Sequence, residues 1–199
     1  MKVTLLKKDP KLYSANVYLV RGDWNAISDI NTLIDVGTNG FIIDELETLS
    51  TGVGKKRVEQ VILTHEHFDH SGALSKIKEA YNPTVYAYSM LQGVDVKIKD
   101  KMSVKIGDRE AIIFHTPGHS NDSVCIYCEE EKVLFSGDTP LNIKSQGGTY
   151  NYYYVQALEM LTKLDIQTIY SGHDEPLTSR VKEILFNTLE NVRRSKIVP

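Results

Sequence analysis

Hydrophobic residues along this chain follow two spacings, one typical of β-strands and one typical of α-helices. Short apolar runs that end at Gly, Pro or charged residues predict strands, at residues 13–20, 31–36, 57–64, 84–88, 110–115, 123–128, 132–135 and 166–170. Apolar residues three or four positions apart predict helices, at residues 41–49, 73–81, 152–164 and 178–196. The charged stretch 92–107 predicts loop and short strands. The consecutive strands between 110 and 135 predict a β meander.

Composition and charge narrow the class of protein. The chain has 199 residues, 41% of them hydrophobic and 25% charged, which is ordinary for a globular protein. This length fits one domain and the sequence shows no internal repeat, so we expect a single domain over residues 1–199. A net charge of −3 provides no overall positive field for nucleic acid. Apolar runs are too short for a signal peptide or a membrane span, so we expect a cytoplasmic protein without a membrane partner.

Four potential metal ligands lie within six residues, directly after the predicted strand 57–64. They are His65, His67, Asp69 and His70. Imidazole and carboxylate groups are the donors that suit Zn²⁺ and related divalent ions. Ligands this close together can reach two adjacent ions from one rigid loop. The alternative is a solvated polar turn, which does not require this combination of residues. The sequence therefore predicts a metal site at the end of this strand.

Three further residues strengthen that prediction because each follows a predicted strand and a glycine. They are His119, Asp138 and His173, preceded by Gly118, Gly137 and Gly172. Glycine lets the backbone pass close to a ligand. A lone His or Asp at the end of a strand is more often structural than metal-binding. Together with the cluster at 65–70, however, the three residues become candidate ligands.

With these motifs in place, the chain resembles the metallo-β-lactamase-fold hydrolase superfamily, and within it the small glyoxalase II-like and lactonase-like members. The resemblance rests on LeuIleAspValGly at 33–37, HisGluHisPheAspHis at 65–70, ThrProGlyHisSer at 116–120, SerGlyAspThr at 136–139 and SerGlyHis at 171–173. It implies an α+β fold, a four-layer αβ/βα sandwich of two packed mixed β-sheets flanked by helices. It also implies metals at one edge of the sheets.

The resemblance further implies a role for each candidate residue. The ligands form two groups of three with one shared member: His65, His67 and His119 for a first ion, Asp69, His70 and His173 for a second, and Asp138 for both. Asp69 and Asp138 are the candidate catalytic residues. Asp35 is expected to steady the ligand loop without binding metal itself, since carboxylates commonly orient ligating imidazoles. An Asp that merely forms a turn before Gly37 is the alternative for Asp35.

Two divalent ions about 3.5–4 Å apart can share a water, lower its pKa and stabilise the oxyanion formed when this bridging hydroxide attacks a carbonyl. No protein nucleophile is then needed. We therefore expect a dinuclear metal-dependent hydrolase, hydroxyacylglutathione hydrolase-like or lactonase-like, that cleaves an ester, thioester or lactone. Zn²⁺ is the expected ion, with Fe or Mn as alternatives, and the expected partner is a small-molecule substrate.

Other activities use similar residues. Persulfide dioxygenases of this superfamily bind one iron through two His and one Asp, here His65, His119 and Asp138, a set with room for oxygen. Phosphodiesterases and nucleases are less favoured because those branches add a nucleic-acid-binding region and this chain is acidic overall. Only 26 residues follow His173, whereas glyoxalase II enzymes add a C-terminal helical region that holds glutathione. Specificity for glutathione thioesters is thus in doubt.

Tyrosines are concentrated after Gly147 and Gly148. The hydroxyls of Tyr150, Tyr152 and Tyr153 are candidates to donate hydrogen bonds to a substrate carbonyl. Alternatively, their rings pack on the core or cover the interface of a homo-oligomer.

Two other features are predicted to be structural. Cys125 and Cys128 lie three positions apart in a predicted strand, so they should face opposite sides of a sheet as core residues. His115 lies within a strand, and we expect it not to bind metal.

Overall fold

The computed structural model describes residues 1–6 and 11–199. In the described residues the strands are β1 (Lys2–Leu5), β2 (Tyr18–Arg21), β3 (Thr32–Ile34), β4 (Gln60–Ile62), β5 (Thr84–Ala87), β6 (Val96–Lys97), β7 (Met102–Ile106), β8 (Arg109–His115), β9 (Val124–Cys128), β10 (Val133–Gly137), β11 (Thr149–Asn151), β12 (Thr168–Ser171) and β13 (Lys196–Val198). The helices are α1 (Ile42–Thr48), α2 (Phe68–Ser71), α3 (Leu74–Tyr81), α4 (Tyr152–Leu161) and α5 (Val181–Arg193). Every predicted strand and helix corresponds to one of these elements, although most are shorter than predicted.

Two mixed β-sheets form the centre of the fold. The first has the order β1-β2-β3-β4-β5-β6, antiparallel from β1 to β3 and parallel from β3 to β6. The second has the order β12-β10-β9-β8-β7, in which only the β10–β12 pair is parallel. The β meander predicted between residues 110 and 135 is the antiparallel β8-β9-β10 part of this sheet.

In the described residues, three hydrophobic clusters lie between four layers, in the order helices, first sheet, second sheet, helices. Strand residues alternate between them, because successive side chains on a strand point to opposite faces. Leu33 packs with α1 and α3 on the outer face of the first sheet, whereas Ile34 packs between the two sheets. Cys125 faces α4 and α5 on the outer side of the second sheet, and Cys128 faces the inter-sheet layer. The predicted αβ/βα sandwich, and the opposite orientation of the two cysteines, are confirmed.

The segment before β2 differs from the prediction. A strand was expected over residues 13–20, but β2 begins only at Tyr18. The backbone N–H of Ala15 donates instead to the carbonyl of Asp69 at 3.0 Å, and that of Asn16 to the carbonyl of Gly172 at 2.6 Å. The prediction is wrong for residues 13–17 because the backbone N–H groups of Ala15 and Asn16 bond to distant segments, and only Val17, whose carbonyl accepts from the N–H of Leu6 at 2.9 Å, bonds to the chain beside β1.

The C-terminal part of the chain also differs from the prediction. A helix was expected to continue to residue 196, but α5 ends at Arg193 and β13 follows. β13 pairs in parallel with β11, forming a small two-stranded sheet that the sequence did not predict. Between β11 and β13, α4 begins where the side chain of Asn151 accepts a hydrogen bond from the backbone N–H of Tyr153 at 2.7 Å, an ordinary N-cap.

Among the described residues, no helix combines the length and apolar character needed to cross a membrane.

Candidate metal centre

The pairing of strands brings the candidate ligands to one edge of both sheets. β3 and β4 run parallel, so Asp35 and His65 follow them at the same edge. β10 and β12 are also parallel, and they lead to Asp138 and His173. β8 ends shortly before the loop that carries His119. The two sheets are joined at this edge, where the backbone N–H of Val124 donates to the carbonyl of Thr64 at 2.8 Å.

The first ligand cluster consists of three imidazoles. His67 Nδ1 lies 3.0 Å from His65 Nε2 and 3.0 Å from His119 Nε2. His65 is buried, whereas His67 and His119 are exposed. The three nitrogens therefore converge on one point that is open to solvent on one side.

The second ligand cluster combines carboxylates with imidazoles. Asp69 Oδ2 lies 3.1 Å from His173 Nε2, and Asp138 Oδ1 lies 3.2 Å from His70 Nε2. Asp138 Oδ2 is 3.3 Å from His173 Nε2 and 3.6 Å from His119 Nε2 of the first cluster. Asp138 therefore contacts both clusters, and all seven predicted ligands are brought together.

These distances fit bound divalent ions. Around a tetrahedral Zn²⁺ with bonds of about 2.0–2.1 Å, neighbouring donor atoms are about 3.3 Å apart, close to the 3.0–3.6 Å observed. His70 Nε2 is buried and has no well-formed hydrogen bond among the described residues, although it points at Asp138 and Asp69. Buried polar atoms in proteins normally have a hydrogen-bond or metal partner. A metal ion would provide one.

Gly137 and Gly172 make this close approach feasible. Gly137 has a φ of +50°, and a Cβ there would lie 2.5 Å from the hydroxyl of Thr64. A Cβ on Gly172 would lie 2.1 Å from Asp138 Oδ1 and 2.7 Å from the ring of His70. Any larger residue at either position would therefore collide with the site. The glycines noted in the sequence thus pack directly against the candidate ligands or their neighbours.

Asp35 organises the second cluster from behind. Its Oδ2 accepts hydrogen bonds from His70 Nδ1 at 2.7 Å and from the Thr64 hydroxyl at 2.8 Å, and its Oδ1 accepts one from the Thr64 backbone N–H at 2.7 Å. Asp35 is buried and adopts a left-handed φ of +60°. Because a carboxylate faces Nδ1, that nitrogen carries a proton, which leaves Nε2 as the atom of His70 that would bind a metal ion.

The electrostatics of the site favour a cation. Burial lowers the pKa of His65 to about 4 and also lowers the pKa of His119. Burial opposes protonation of His70 too, but Asp35 and Asp138 outweigh it and raise its pKa to about 10. Burial disfavours the charged form of Asp138, yet the adjacent His70 and the other imidazoles lower its pKa to about 2. The carboxylates thus create a negative potential that attracts positive charge to the second cluster.

A cavity of about 530 Å³ adjoins the ligands and is lined by His119, Asp138, His173 and the loops around them. Lys144 lies on its wall and is exposed. On the other side of His173, the ring of Tyr13 stacks at a centroid distance of 5.1 Å, with its hydroxyl 3.4 Å from Nε2. Lys144 and Tyr13 were not predicted from the sequence, because only the fold brings them to the ligands.

The predicted substrate tyrosines lie elsewhere. Tyr152 and Tyr153 are exposed and line a second cavity with residues 197–199. The ring of Tyr150 packs against Tyr154 at 5.8 Å. None of the three lines the cavity beside the ligands. Their contact with substrate stays a prediction, and packing against the core or an exposed surface is what their positions show.

Tyr154, in the same region, packs against the loop that carries His119. It is buried, and its ring fills the space where a Cβ on Gly118, next to His119, would lie. Its hydroxyl donates to the carbonyl of Pro140, two residues after Asp138.

His115 lies outside both ligand clusters. Its ring stacks on Tyr88 at a centroid distance of 3.9 Å, and its Nε2 lies 2.8 Å from the carbonyl oxygen of Asn121.

The chain belongs to the metallo-β-lactamase superfamily, whose sequence model matches residues 10–173. It is 30% identical over 153 residues to the hydroxyacylglutathione hydrolase of Francisella tularensis subsp. novicida, covering 71% of this chain and 60% of that protein. It is 29% identical over 124 residues to the enzyme of the same name from Pelagibacter ubique, covering 59% and 52% of the two chains. The chain thus spans little more than half the length of these relatives.

Solved structures show the same fold. A metallo-β-lactamase family protein from Thermus thermophilus superposes with a TM-score of 0.71 at 17% identity, over 96% of this chain and 79% of that one. The BLEG-1 B3 metallo-β-lactamase superposes with a TM-score of 0.69 at 24% identity, over 94% of this chain and 100% of that one. The α+β sandwich predicted from the sequence is therefore that of this superfamily.

Proposed function

We propose that this chain is a dinuclear metal-dependent hydrolase acting on an ester, thioester or lactone. The observation that supports it best is the pair of donor clusters with Asp138 in contact with both. When bound there, two divalent ions supply a shared water of lowered pKa and positive charge that stabilises an oxyanion. The similarity to proteins named hydroxyacylglutathione hydrolase supports the thioester among these substrates.

The residues of the chain divide the work between them. Three imidazoles would hold the first ion, and Asp69, His70 and His173 the second, with Asp138 shared. Asp69 and Asp138 are the proposed catalytic residues. Their carboxylate oxygens lie among the ligand nitrogens, at 3.1 Å and 3.3 Å from His173 Nε2, where they can accept hydrogen bonds from an attacking water and orient it.

The adjoining cavity supports a small-molecule substrate. Its volume of about 530 Å³ lies within the range of ordinary small-ligand pockets. Leu141 and Leu177 provide apolar wall, and Lys144 provides a positive charge at its edge. We propose that the scissile carbonyl lies between His119 and His173, which both line this cavity.

A substrate panel tests this proposal. Purified enzyme is assayed with an acyl-glutathione thioester, a plain thioester, a lactone, a p-nitrophenyl ester and a phosphodiester, before and after chelation and reloading with Zn²⁺. We expect turnover of at least one carbonyl substrate that is lost on chelation and restored by Zn²⁺. Activity on the phosphodiester alone, or on none of them, would contradict the proposal.

The same experiment separates the alternative activity. An iron dioxygenase would use His65, His119 and Asp138, which the structure also brings together, with His119 Nε2 3.6 Å from Asp138 Oδ2. Oxygen consumption with glutathione persulfide, supported by iron and not by zinc, would favour that activity over hydrolysis.

A further inference from the structure

Residues 13–17, which lead into β2, contact the segments that carry the second ligand cluster. The backbone N–H of Ala15 donates to the carbonyl of Asp69 at 3.0 Å, and that of Asn16 donates to the carbonyl of Gly172 at 2.6 Å. Two adjacent peptide groups therefore hold two segments that bear ligands: α2, which follows β4 of the first sheet, and the loop that follows β12 of the second sheet. This contact links Asp69 and His173 through a segment that contributes no predicted metal ligand.

The side chain of Asn16 extends this link on both sides of His173. Its Nδ2 donates to the carbonyls of Ser171 and Asp174, each at 2.9 Å, and lies 3.1 Å from the hydroxyl of Tyr18. That hydroxyl donates to the Ser171 carbonyl at 2.7 Å. Asn16 is buried, with only 3% of its surface exposed. The Asn16 amide and the Tyr18 hydroxyl thus bond to the carbonyls of Ser171 and Asp174, which lie on either side of His173 in the sequence.

The chemistry of this position favours asparagine. An amide supplies two N–H donors from one short side chain, and the groups that it faces are carbonyl oxygens. An aspartate of the same shape would bring a negatively charged acceptor against those oxygens and could donate nothing to them. Without the amide donors, the part-buried carbonyls of Ser171 and Asp174 would keep only the hydroxyls of Tyr18 and Ser171 as partners, which destabilises the local conformation of the loop.

We propose that Asn16 is a positioning residue that fixes His173 in its ligating orientation and so determines occupancy of the second metal site. The proposal rests on the dinuclear site proposed above. Asn16 acts through the backbone of residues 171–174 and not on substrate. Outer partners of metal ligands typically contribute 10- to 100-fold in metal affinity, and we expect an effect of that size.

The effect should be selective for one cluster. Among the described residues, the hydrogen bonds of Asn16 reach Tyr18 and the loop at 171–174. His65 and His67 belong to a separate loop after β4, and His119 to the loop after β8. Loss of the amide donors should therefore weaken the second site and leave the first unchanged.

The test is a Zn²⁺ titration of the metal-free full chain, comparing wild type with Asn16→Asp. We expect two equivalents bound by wild type and, in the variant, a second binding step weakened 10- to 100-fold beside an unchanged first step. Substitution with Co²⁺ provides a second readout, since its absorbance should lose the contribution of one site. Circular dichroism establishes that both proteins are folded.

Asn31→Asp is the matched control. Asn31 is also buried, and its Nδ2 also donates to two backbone carbonyls, those of Thr51 at 2.8 Å and Lys56 at 2.9 Å. It precedes β3, at the end of the sheet opposite to the ligands. This variant should lose thermal stability to a similar degree yet bind both equivalents as wild type does.

The outcomes are distinguishable. Wild-type Zn²⁺ binding by Asn16→Asp, or equal loss of the second site in Asn31→Asp, would overturn the role of Asn16 while leaving the dinuclear site intact. A wild type that binds fewer than two equivalents would overturn the dinuclear site itself. If Asn16→Asp does not fold, Tyr18→Phe replaces it. That variant removes only the hydroxyl that donates to Ser171, and it should weaken the second site by a smaller factor without affecting the first.

Discussion

The two ligand clusters are built in different ways. The first consists of imidazoles alone, two of them from one short loop, and it is largely open to solvent. The second is more buried, and its ligands depend on residues far away in the sequence, with Asp35 behind His70 and Asn16 around His173. Because outer contacts orient ligands, the second site should be the more sensitive to substitutions that touch no metal, and the first should depend mainly on its own histidines.

The largest effect should come from Asp138→Ala. Asp138 contacts both clusters, so its loss should affect both metal sites. We expect loss of at least one metal equivalent and a fall in kcat/KM of about 10³-fold or more. Elemental analysis and steady-state kinetics measure the two effects. Undiminished turnover with two metals bound would refute the assignment of Asp138 as the shared ligand.

Asp35→Asn should have the next largest effect, because Asp35 contacts His70 directly but reaches the first cluster only through Thr64, whose hydroxyl lies 3.1 Å from His65 Nδ1. The amide no longer provides a carboxylate for His70 Nδ1, so the proton is no longer fixed there. We expect the metal affinity of the second site to fall 10- to 100-fold and that of the first to fall by a smaller factor. A calorimetric Zn²⁺ titration measures both.

Asp29→Asn is the control for Asp35→Asn, since Asp29 is similarly buried and accepts a hydrogen bond from the backbone N–H of Ala26 at 2.7 Å. Equal weakening of the second site in both variants would argue against a specific role for Asp35.

The sequence predicted the parts of this protein that depend on local pattern. Leu33 and Ile34 show the alternation that defines two faces of a strand, so the layers could be predicted. The four ligands at 65–70 lie close together in the sequence, so they could be predicted as well. Asp35, too, was found because it lies in a motif. These features needed no knowledge of long-range contacts.

The features that escaped prediction all depend on distant partners. Asn16 bonds to Ser171 and Asp174, which are 155 and 158 positions further along the chain. The residues around Asn16 form a loop, although their apolar character predicts a strand. β11 and β13 are three residues each and pair across more than forty positions, too short for any periodicity to show. The tyrosines at 150, 152 and 153 do not line the cavity beside the ligands, whereas Tyr154, which was not predicted, packs against Gly118 next to His119.

Tyr13→Phe should have a modest effect and tests the open side of the second cluster. The Tyr13 hydroxyl lies 3.4 Å from His173 Nε2, and once that nitrogen binds metal the hydroxyl is free to donate to substrate. One neutral hydrogen bond contributes about 0.5–1.5 kcal/mol, which corresponds to a fall in kcat/KM of roughly 2- to 10-fold. Metal content should not change. A variant that loses metal would show that Tyr13 supports His173 instead.

His115→Ala should have the smallest effect on the centre, because this histidine lies outside both clusters. Loss of its stacking on Tyr88 should destabilise the fold by about 1 kcal/mol, or a Tm lowered by roughly 2–4 °C for a chain of this size. Metal content and kcat should equal those of wild type. Loss of metal from a folded variant would show that His115 had been excluded from the ligands in error.

Both clusters should hold a metal, and elemental analysis of the wild-type chain purified without added metal measures this directly. We expect about two equivalents per chain of zinc or another ion that supports hydrolysis. One equivalent of iron, with an iron absorbance band and no second metal, would contradict it and would favour the oxygen-dependent activity.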